Sequence, residues 1–227
     1  MSSFYFPFDF DKGDIIKITD EEFKHIKVQR KTDKQINISN GNGLFATAIP
    51  TQLNKDSIEL KILNIFQNYN ENIYNSTLFF GLIDDKSRIE FIIEKATELG
   101  VNSIYPLICE YTQYPKFDLV RSEKKAISAL KQSERSFLPK IYNPIKFTEL
   151  NNLIRNFDLS LIADIDGINE IINSQKNIAL FVGPEGGFSN NEKEFLFKHC
   201  KKIKLSNSVL RTETACISLF QKIKLWP

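Results

Sequence analysis

Hydrophobic and polar residues follow a strand-like pattern over the first third of the chain. The β-rich runs are DIIKI (14–18), QINIS (35–39), LFATAI (44–49) and SIELKILNIF (57–66). Runs of this kind, some of them alternating, predict β-strands. The sequence NGNG at residues 40–43 separates two of them, and Asn and Gly tolerate the positive φ angles of a tight hairpin. Several short strands joined by tight turns predict a small β-barrel, onto which Phe4, Phe6 and Phe8 are expected to pack.

A different pattern begins after a polar, asparagine-rich stretch at residues 67–76, which we interpret as a linker. A continuous apolar run predicts a strand at 77–83, and further strands are predicted at 102–108, 159–164, 178–182 and 202–205. Helices are predicted at 86–100 with an N-cap at Asp84 or Asp85, at 122–137, near 149–157 and at about 212–225. Strands that alternate with helices predict an α/β domain with a mainly parallel sheet. We therefore expect two domains, at residues 1–70 and 71–227.

Composition and charge exclude few classes of function. The chain is 42% hydrophobic and 26% charged, and its net charge of +2 neither requires nor excludes a nucleic-acid partner. Since no apolar run is long enough to span a membrane and the N-terminal segment lacks signal-peptide features, we expect a cytoplasmic protein. The three cysteines have no CxxC spacing and only two histidines are present. Buried free thiols and no metal site are the expectation.

The stretch LFVGPEGGFSNNEKEF, residues 180–195, carries the first chemical signal. Ser189 and Glu192 fit a capping box, so a helix is predicted to follow a glycine-rich turn at the carboxyl end of a parallel strand. The turn has neither a GxGxxG nor a GxxxxGK[ST] pattern, and Glu185 would repel a pyrophosphate. A nucleoside ligand without phosphates, such as the cationic S-adenosylmethionine, fits better. The alternative is a tight turn in which Gly and Pro only shape the backbone.

A second motif that bears on this turn is LSNSVLRTETA, at residues 205–215. Together with GPEGG it resembles the SPOUT superfamily of RNA methyltransferases, and more closely the RsmE family of ribosomal RNA uridine N3-methyltransferases. The stretches EKATELGVNSIYPL (94–107) and QSERSFLP (132–139) are similar to further motifs of that family. The resemblance implies a small N-terminal PUA-like β-barrel followed by a SPOUT α/β domain with a C-terminal trefoil knot. It also implies a homodimer that uses S-adenosylmethionine to methylate N3 of a uridine in small-subunit (16S) ribosomal RNA.

The resemblance also assigns site residues. The residues expected to bind the cofactor are Val182, Gly183, Pro184, Glu185, Gly186, Gly187, Leu205, Ser206, Asn207, Val209 and Leu210. Those expected to bind RNA are His25, Arg30, Gln132 and Arg135. Uracil N3 carries a proton that must leave, so the enzyme needs a base or a stabilising positive charge. Arg211 is the candidate that holds the uracil oxygens or a phosphate, and Glu213 or Glu185 is the candidate base.

Each catalytic candidate also has a purely structural interpretation. Glu213 would be favoured in the first turn of a helix by the helix dipole, Thr212 could be only an N-cap, and Glu185 could fix the loop by accepting backbone N–H groups. The chain also has serine at 206 and 208, where the family commonly has Gly and Arg. Two other functions therefore stay open: a SPOUT enzyme with another RNA target, and a non-catalytic RNA-binding or assembly factor.

Overall fold

The computed structural model describes residues 3–113, 116–172 and 177–223. The chain packs into two compact units: Met1–Glu71 with Ile127–Leu138, and Asn72–Ala126 with Pro139–Pro227. The segment 127–138 thus groups with the N-terminal strands, although the sequence placed it in the second domain. Its backbone explains this grouping, because Gly43 N–H donates to the Ser136 carbonyl at 2.9 Å and Leu138 N–H donates to the Gly41 carbonyl at 2.9 Å.

The first unit is a curled five-stranded sheet with one helix. Its elements are β1 (Phe4–Tyr5), β2 (Ile15–Thr19), α1 (Asp20–Val28), β3 (Ile36–Ser39), β4 (Leu44–Leu53) and β5 (Ser57–Gln67). The strand order is β1-β3-β4-β5-β2, with β1 and β3 parallel and the other pairs antiparallel. Register shifts between β4 and β5 bend the ladder. In the described part of this unit β1 and β2 remain edges, so the predicted barrel is an open, curled sheet.

Two further details of this unit differ from the sequence predictions. Helix α1 was not predicted, because only Phe23 and Ile26 of it are buried and two positions give too weak a helical period. Phe4 is buried in the core and Phe6 packs against it, as expected. Phe8 is 65% exposed and meets the Phe6 ring edge-on, so its predicted packing on the core was wrong.

The second unit is built on a parallel sheet, which confirms the predicted α/β pattern. Its strands are β6 (Asn75–Gly81), β7 (Ser103–Ile108), β8 (Lys140–Ile141), β9 (Ile145–Lys146), β10 (Leu159–Ile168), β11 (Asn177–Val182) and β12 (Lys201–Ile203). Its helices are α2 (Lys86–Glu98), α3 (Leu119–Ser133, whose last residues belong to the first unit), α4 (Leu150–Leu153, flanked by two 3-10 turns), α5 (Asn190–His199) and α6 (Thr212–Phe220). The strand order is β12-β10-β11-β6-β7-β8, and β9 also pairs with β7. All these pairs are parallel.

Four aromatic rings stack across neighbouring strands of this sheet. Ring centroids lie 4.7 Å apart between Phe181 and Phe79, 5.0 Å between Phe79 and Tyr105, and 3.9 Å between Tyr105 and Tyr142, with interplanar angles of at most 17°. Phe181 pairs with Phe79, and Phe79 with Tyr105, in the strand register, so the stack follows from in-register parallel pairing. A slip of one residue would move these rings to opposite faces. The stack therefore supports the register of β11, whose carboxyl end carries the glycine-rich turn, against β6 and β7.

The helix ends confirm some predicted caps and shift others. Asp85, rather than Asp84, caps α2 by accepting hydrogen bonds from the N–H groups of Ser87 (2.9 Å) and Arg88 (3.1 Å). Helix α6 ends at Phe220, earlier than predicted, and residues 224–227 lie outside the described part of the chain. The three cysteines are buried free thiols, as expected. Within the described ranges, none of the helices combines the length and apolarity needed to cross a membrane.

Candidate active site

A cleft of about 490 Å³ lies at the carboxyl edge of the parallel sheet. Strands β12, β10 and β11 are neighbours there, so the segments that follow them converge. The lining comes from residues 162–165 of β10, from the loop after β11 and from the loop after β12, with Arg88, Lys193 and Ala215 at its sides. This is the position at which α/β sheets bind ligands, and the volume is within the usual range for small-molecule sites.

The loop after β11 is a turn fixed at both ends. Gly187 N–H donates to the Pro184 carbonyl at 2.9 Å, and Gly187 has a φ of +70°, which glycine adopts without strain. The predicted capping box is present, because Ser189 N–H donates to Glu192 Oε2 at 2.8 Å and Glu192 N–H faces Ser189 Oγ. Glu192 Oε1 also accepts from the Glu110 N–H at 2.9 Å. A buried strand and a capped helix thus hold the turn in place.

A close contact between Gly81 and Pro184 explains why the end of β6 is glycine. A Cβ atom added to Gly81 would lie 2.2 Å from both Cδ and the backbone nitrogen of Pro184, a separation that real Cβ atoms do not show. The glycine-rich turn therefore lies directly against the neighbouring strand end. This requirement was not predicted, since a glycine at the end of an apolar run gives no sign of which distant segment approaches it.

The loop after β12 is tied to the glycine-rich turn through the start of α6. Thr212 is 4% exposed, and its hydroxyl donates to the Gly183 carbonyl at 3.1 Å. The N-cap position belongs to Arg211, so the expectation that Thr212 caps α6 was wrong. Earlier in the loop, Ser208 N–H donates to Ser206 Oγ at 3.1 Å, and the two hydroxyls lie 3.0 Å apart. The two serines that depart from the family pattern therefore support each other's conformation.

Arg88, in the first turn of α2, contacts both carboxylates that the sequence nominated as bases. Its Nη1 pairs with Glu185 and its Nη2 lies 2.6 Å from Glu213 Oε2. The hydrogen bond from Arg88 holds the pKa of Glu213 below its usual range, and the two carboxylates, Glu213 first, raise the pKa of Arg88. Ionised and paired, Glu213 is a weak base. Sequence reasoning missed Arg88, although a cation in a first helical turn, where the dipole disfavours it, was an available signal.

Most predicted cofactor residues line the cleft. Those that do are Val182, Gly183, Pro184, Glu185, Gly187, Leu205, Ser206, Val209 and Leu210, together with the catalytic candidate Arg211. Gly186 and Asn207 do not line it: Gly186 faces Tyr111, and Asn207 is exposed. Glu213 reaches the cleft only through Arg88. The lining residues that the sequence did not predict include Ile162, Ala163, Asp164, Ile165, Phe188 and Lys193. Asp164, directly after a buried apolar run, was the signal that could have found the β10 segment.

Comparison with known proteins identifies the relatives of this chain. The sequence model of a family described as an RNA methyltransferase domain matches residues 70–224. Ribosomal RNA small subunit methyltransferase E of Mesomycoplasma hyopneumoniae is 30% identical over 213 residues, covering 90% of this chain and 92% of that protein. The chain belongs to the ribosomal RNA small subunit methyltransferase E family. The resemblance inferred from the sequence motifs is thereby confirmed.

Other relatives of the methyltransferase E family agree. The Rickettsia conorii enzyme of that name is 36% identical over 160 residues, covering 66% of this chain and 65% of that protein. The Neisseria gonorrhoeae ribosomal RNA small subunit methyltransferase E bound to S-adenosyl methionine superposes with a TM-score of 0.86, at 30% identity, covering 97% of this chain and 95% of that one. A Legionella pneumophila methyltransferase in complex with the same cofactor gives 0.81 at 25% identity, over 96% and 95% of the two chains.

The cleft of this methyltransferase E family member fits S-adenosylmethionine in its chemistry. Its walls come largely from two loops, and Ile162 and Leu210 add apolar surface. Asp164 and Glu185 place carboxylates on its lining, and Arg88, Lys193 and Arg211 place cations there. The two carboxylates are the positions at which a cationic sulfonium is favoured.

The residues predicted to bind RNA all belong to the first unit. His25, Arg30 and Gln132 are exposed. His25 Nδ1 lies 3.3 Å from Lys131 Nζ, and Lys131 pairs with Glu22 at 2.5 Å. His25 and Glu22 on α1 and Lys131 on α3 thus form one polar cluster, and Arg30 lies in the turn after α1. The structure leaves their prediction as RNA contacts open to experiment.

Arg135 is placed differently from the other three. It is 1% exposed, and its Nη2 lies 2.6 Å from Glu71 Oε2. The other oxygen of Glu71 accepts from the N–H groups of Ser136 (2.9 Å) and Phe137 (2.8 Å). Because the guanidinium is enclosed and paired, the structure does not present it to a phosphate. The QSERSFLP motif acts here as an anchor for the segment that follows α3, and Arg135 does not enter the RNA-binding proposal.

Proposed function

We propose that this protein transfers the methyl group of S-adenosylmethionine to N3 of a uridine in small-subunit ribosomal RNA. The observation that carries the proposal is the convergence of residues 182–188 and 205–212 on one cleft, within a chain that belongs to the methyltransferase E family. The relatives' names supply the reaction and the RNA, and the Neisseria gonorrhoeae neighbour supplies the cofactor. The uridine N3 position rests on the family resemblance of the GPEGG and LRTETA motifs.

The residues that would hold the cofactor are those of the two loops that line the cleft, at 182–185, 187, 205–206 and 208–210, with apolar contacts from Ile162 and Leu210. When bound, S-adenosylmethionine supplies a methyl group on a cationic sulfonium. Asp164 and Glu185 favour that positive charge, and Thr212 keeps the two loops together through its bond to Gly183. Positioning of this kind contributes much of the rate of a displacement reaction.

The geometry supports positive charge, rather than a carboxylate base, as the main catalytic aid. Glu213 is held ionised by Arg88 with a lowered pKa, and Glu185 is paired with the same guanidinium. Neither carboxylate is a free acceptor for the N3 proton. Arg211 lines the cleft and is exposed, so its guanidinium can stabilise the uracil oxygens as N3 loses its proton. Arg211 is therefore our catalytic residue, and Glu185 and Glu213 are residues that shape the site.

The rest of the proposal concerns RNA binding and assembly. Residues 1–70 form an RNA-binding domain and residues 71–227 the SPOUT catalytic domain, with His25, Arg30 and Gln132 as contacts to ribosomal RNA or the small ribosomal subunit. The family resemblance further supports a homodimer, a C-terminal trefoil knot and a cytoplasmic location. Phosphate contacts release counterions, so affinity for RNA should fall steeply as salt concentration rises.

The deciding experiment uses small ribosomal subunits from cells that lack this protein. The subunits are incubated with the protein and labelled S-adenosylmethionine, and the RNA is digested and its nucleosides identified by mass spectrometry. Labelled 3-methyluridine is the expected product, and an Arg211→Ala variant should form it much more slowly. A different labelled nucleoside would refute the uridine N3 assignment. Absence of label together with absence of cofactor binding would favour the non-catalytic RNA-binding alternative.

A further inference from the structure

We infer that Arg88 is a positioning residue that clamps the two halves of the cofactor cleft together. It pairs at once with Glu185, on the turn after β11, and with Glu213, in the first turn of α6. The inference rests on the proposed function, because it assigns Arg88 a role at the same cleft. It concerns cofactor affinity, which is measured without RNA and without turnover.

The two arms of the clamp differ in their exposure to solvent. The Arg88 side chain is 18% exposed and that of Glu213 12%, so this arm is largely shielded from water. The Glu185 side chain is 61% exposed, and an ion pair in contact with water is worth little by itself. The Glu213 arm is therefore the fixed end that aims the guanidinium. The Glu185 arm is the weaker end and can hold or release the glycine-rich turn.

Helix α2 presents the guanidinium from a rigid base. The backbone N–H of Arg88 donates to Asp85 Oδ1 at 3.1 Å in the N-cap of the helix, and Ile92 and Ile93 on the inner face are 1% and 0% exposed. A cation in the first turn is disfavoured by the helix dipole. Two carboxylates from distant segments offset that cost. A site residue held by a buried helix keeps its geometry better than one on a loop.

The clamp acts through position, since one guanidinium holds two carboxylates from different segments beside each other. Arg211 and Lys193 add positive charge on the same lining, so the three clamp groups do not set the net charge of the cleft. Removing the guanidinium would leave the carboxylates of Glu185 and Glu213 side by side without their shared cation. The glycine-rich turn would then separate from α6, and only the Thr212–Gly183 hydrogen bond would still join the two loops directly among the contacts described here.

The test measures dissociation constants by isothermal titration calorimetry for S-adenosylmethionine and S-adenosylhomocysteine. Arg88→Gln should raise the constant for S-adenosylmethionine roughly 10- to 100-fold, as when a group that supports direct ligand contacts is lost. Arg88→Lys should recover part of the affinity, because one ammonium cannot pair in the same way with both carboxylates. The matched control is Arg121→Gln, which removes another Arg–Glu pair, with Glu90, outside the cleft. It should change affinity less than twofold.

A double-mutant cycle separates a clamp from a general loss of stability. Glu185→Gln removes only the exposed arm, so it should leave the melting temperature almost unchanged while weakening cofactor binding. The cycle is read with S-adenosylhomocysteine, which lacks the sulfonium charge that Glu185 itself would favour. In the Arg88→Gln background the same change should then have no further effect on affinity for S-adenosylhomocysteine, because the partner is already absent. If Arg88→Gln proves unstable, the affinity of Glu185→Gln for S-adenosylhomocysteine still tests the exposed arm. Additive effects in the cycle, or wild-type affinity in either single variant, would overturn the inference.

The outcomes also distinguish this inference from the proposed function. If the wild-type protein bound the cofactor more tightly than Arg88→Gln but methylated no uridine, the clamp would stand and the proposed function would be refuted. If the wild-type protein formed 3-methyluridine, and the Arg88→Gln variant bound the cofactor as tightly as the wild-type protein, the function would stand and the clamp would be refuted. A wild-type protein without cofactor affinity would refute both.

Discussion

Substitution of Gly81 by alanine tests whether the glycine-rich turn depends on the neighbouring strand. The added methyl group would lie 2.2 Å from Cδ and the backbone nitrogen of Pro184, whereas ordinary van der Waals contact begins at 3.4 Å. The turn must therefore move away from β6 by about 1.2 Å, a displacement that can cost on the order of 100-fold at a site built on positioning. Gly81 does not have a positive φ, so alanine introduces steric overlap without backbone strain.

Two measurements on purified Gly81→Ala protein check this reasoning. Urea denaturation should show a loss of about 1–3 kcal/mol in the free energy of unfolding, the usual cost of overpacking. Calorimetric titration with S-adenosylhomocysteine should show affinity reduced well beyond that of a control with comparable stability. Gly13→Ala is that control: Gly13 has a φ of +96°, and its added methyl group would meet no atom within 4 Å. It should lose about 1–2 kcal/mol through left-handed strain and keep its cofactor affinity.

One result would refute the argument about Gly81. If Gly81→Ala bound the cofactor as tightly as the wild-type protein, the glycine-rich turn would not need its position against β6. A loss of affinity shared equally by Gly13→Ala would attribute the effect to stability instead of steric displacement.

Three further predictions follow from the caps, the aromatic stack and the ion pairs. Phe79→Ala should lower the free energy of unfolding by about 3–5 kcal/mol in denaturant titrations, since Phe79 is 0% exposed between two stacked rings. Ser189→Ala should cost about 1 kcal/mol by the same measurement, because α5 loses its N-cap. Arg88 lowers the pKa of Glu213 from its ordinary value of 4.5, so ionised Glu213 stabilises the fold above that pH, and this contribution is lost as the pH falls through the lowered pKa. Glu213→Gln should therefore make the melting temperature less sensitive to pH between about pH 5 and pH 3.

Local sequence rules predicted those elements whose causes are local. The parallel strands were predicted because they are continuous apolar runs buried on both faces, as at 178–182. The start of α5 was predicted because the capping box of Ser189 and Glu192 needs only four consecutive residues. Helix α1 was not predicted, because its two buried residues give too weak a helical period. The predicted small barrel is a curled sheet with β1 and β2 at its edges in the described residues, because strand number and turn type do not determine whether the edge strands meet.

Family resemblance identified positions that matter without stating why they matter. Arg135 falls on a motif of an RNA-modifying family, and an arginine there was naturally interpreted as a phosphate contact. Burial with Glu71 gives the position a different reason, because breaking a buried pair leaves an uncompensated charge and is strongly destabilising. An arginine retained for that reason would carry the same sequence signature as one that binds RNA. Only burial and partner distances separate the two interpretations.

The charges of the cleft depend on contacts that no local pattern contains. Arg88 is 97 residues from Glu185 and 125 from Glu213 in the chain, so only the fold brings the three together. Considered alone, Glu213 and Glu185 are plausible bases in a ligand site. Beside Arg88 they are paired carboxylates, and Glu213 is less basic than an isolated one. The same contact bears on three proposed roles: it favours a supporting role for the two carboxylates, and it favours Arg211, which lines the cleft, as the proposed stabiliser of the developing uracil anion.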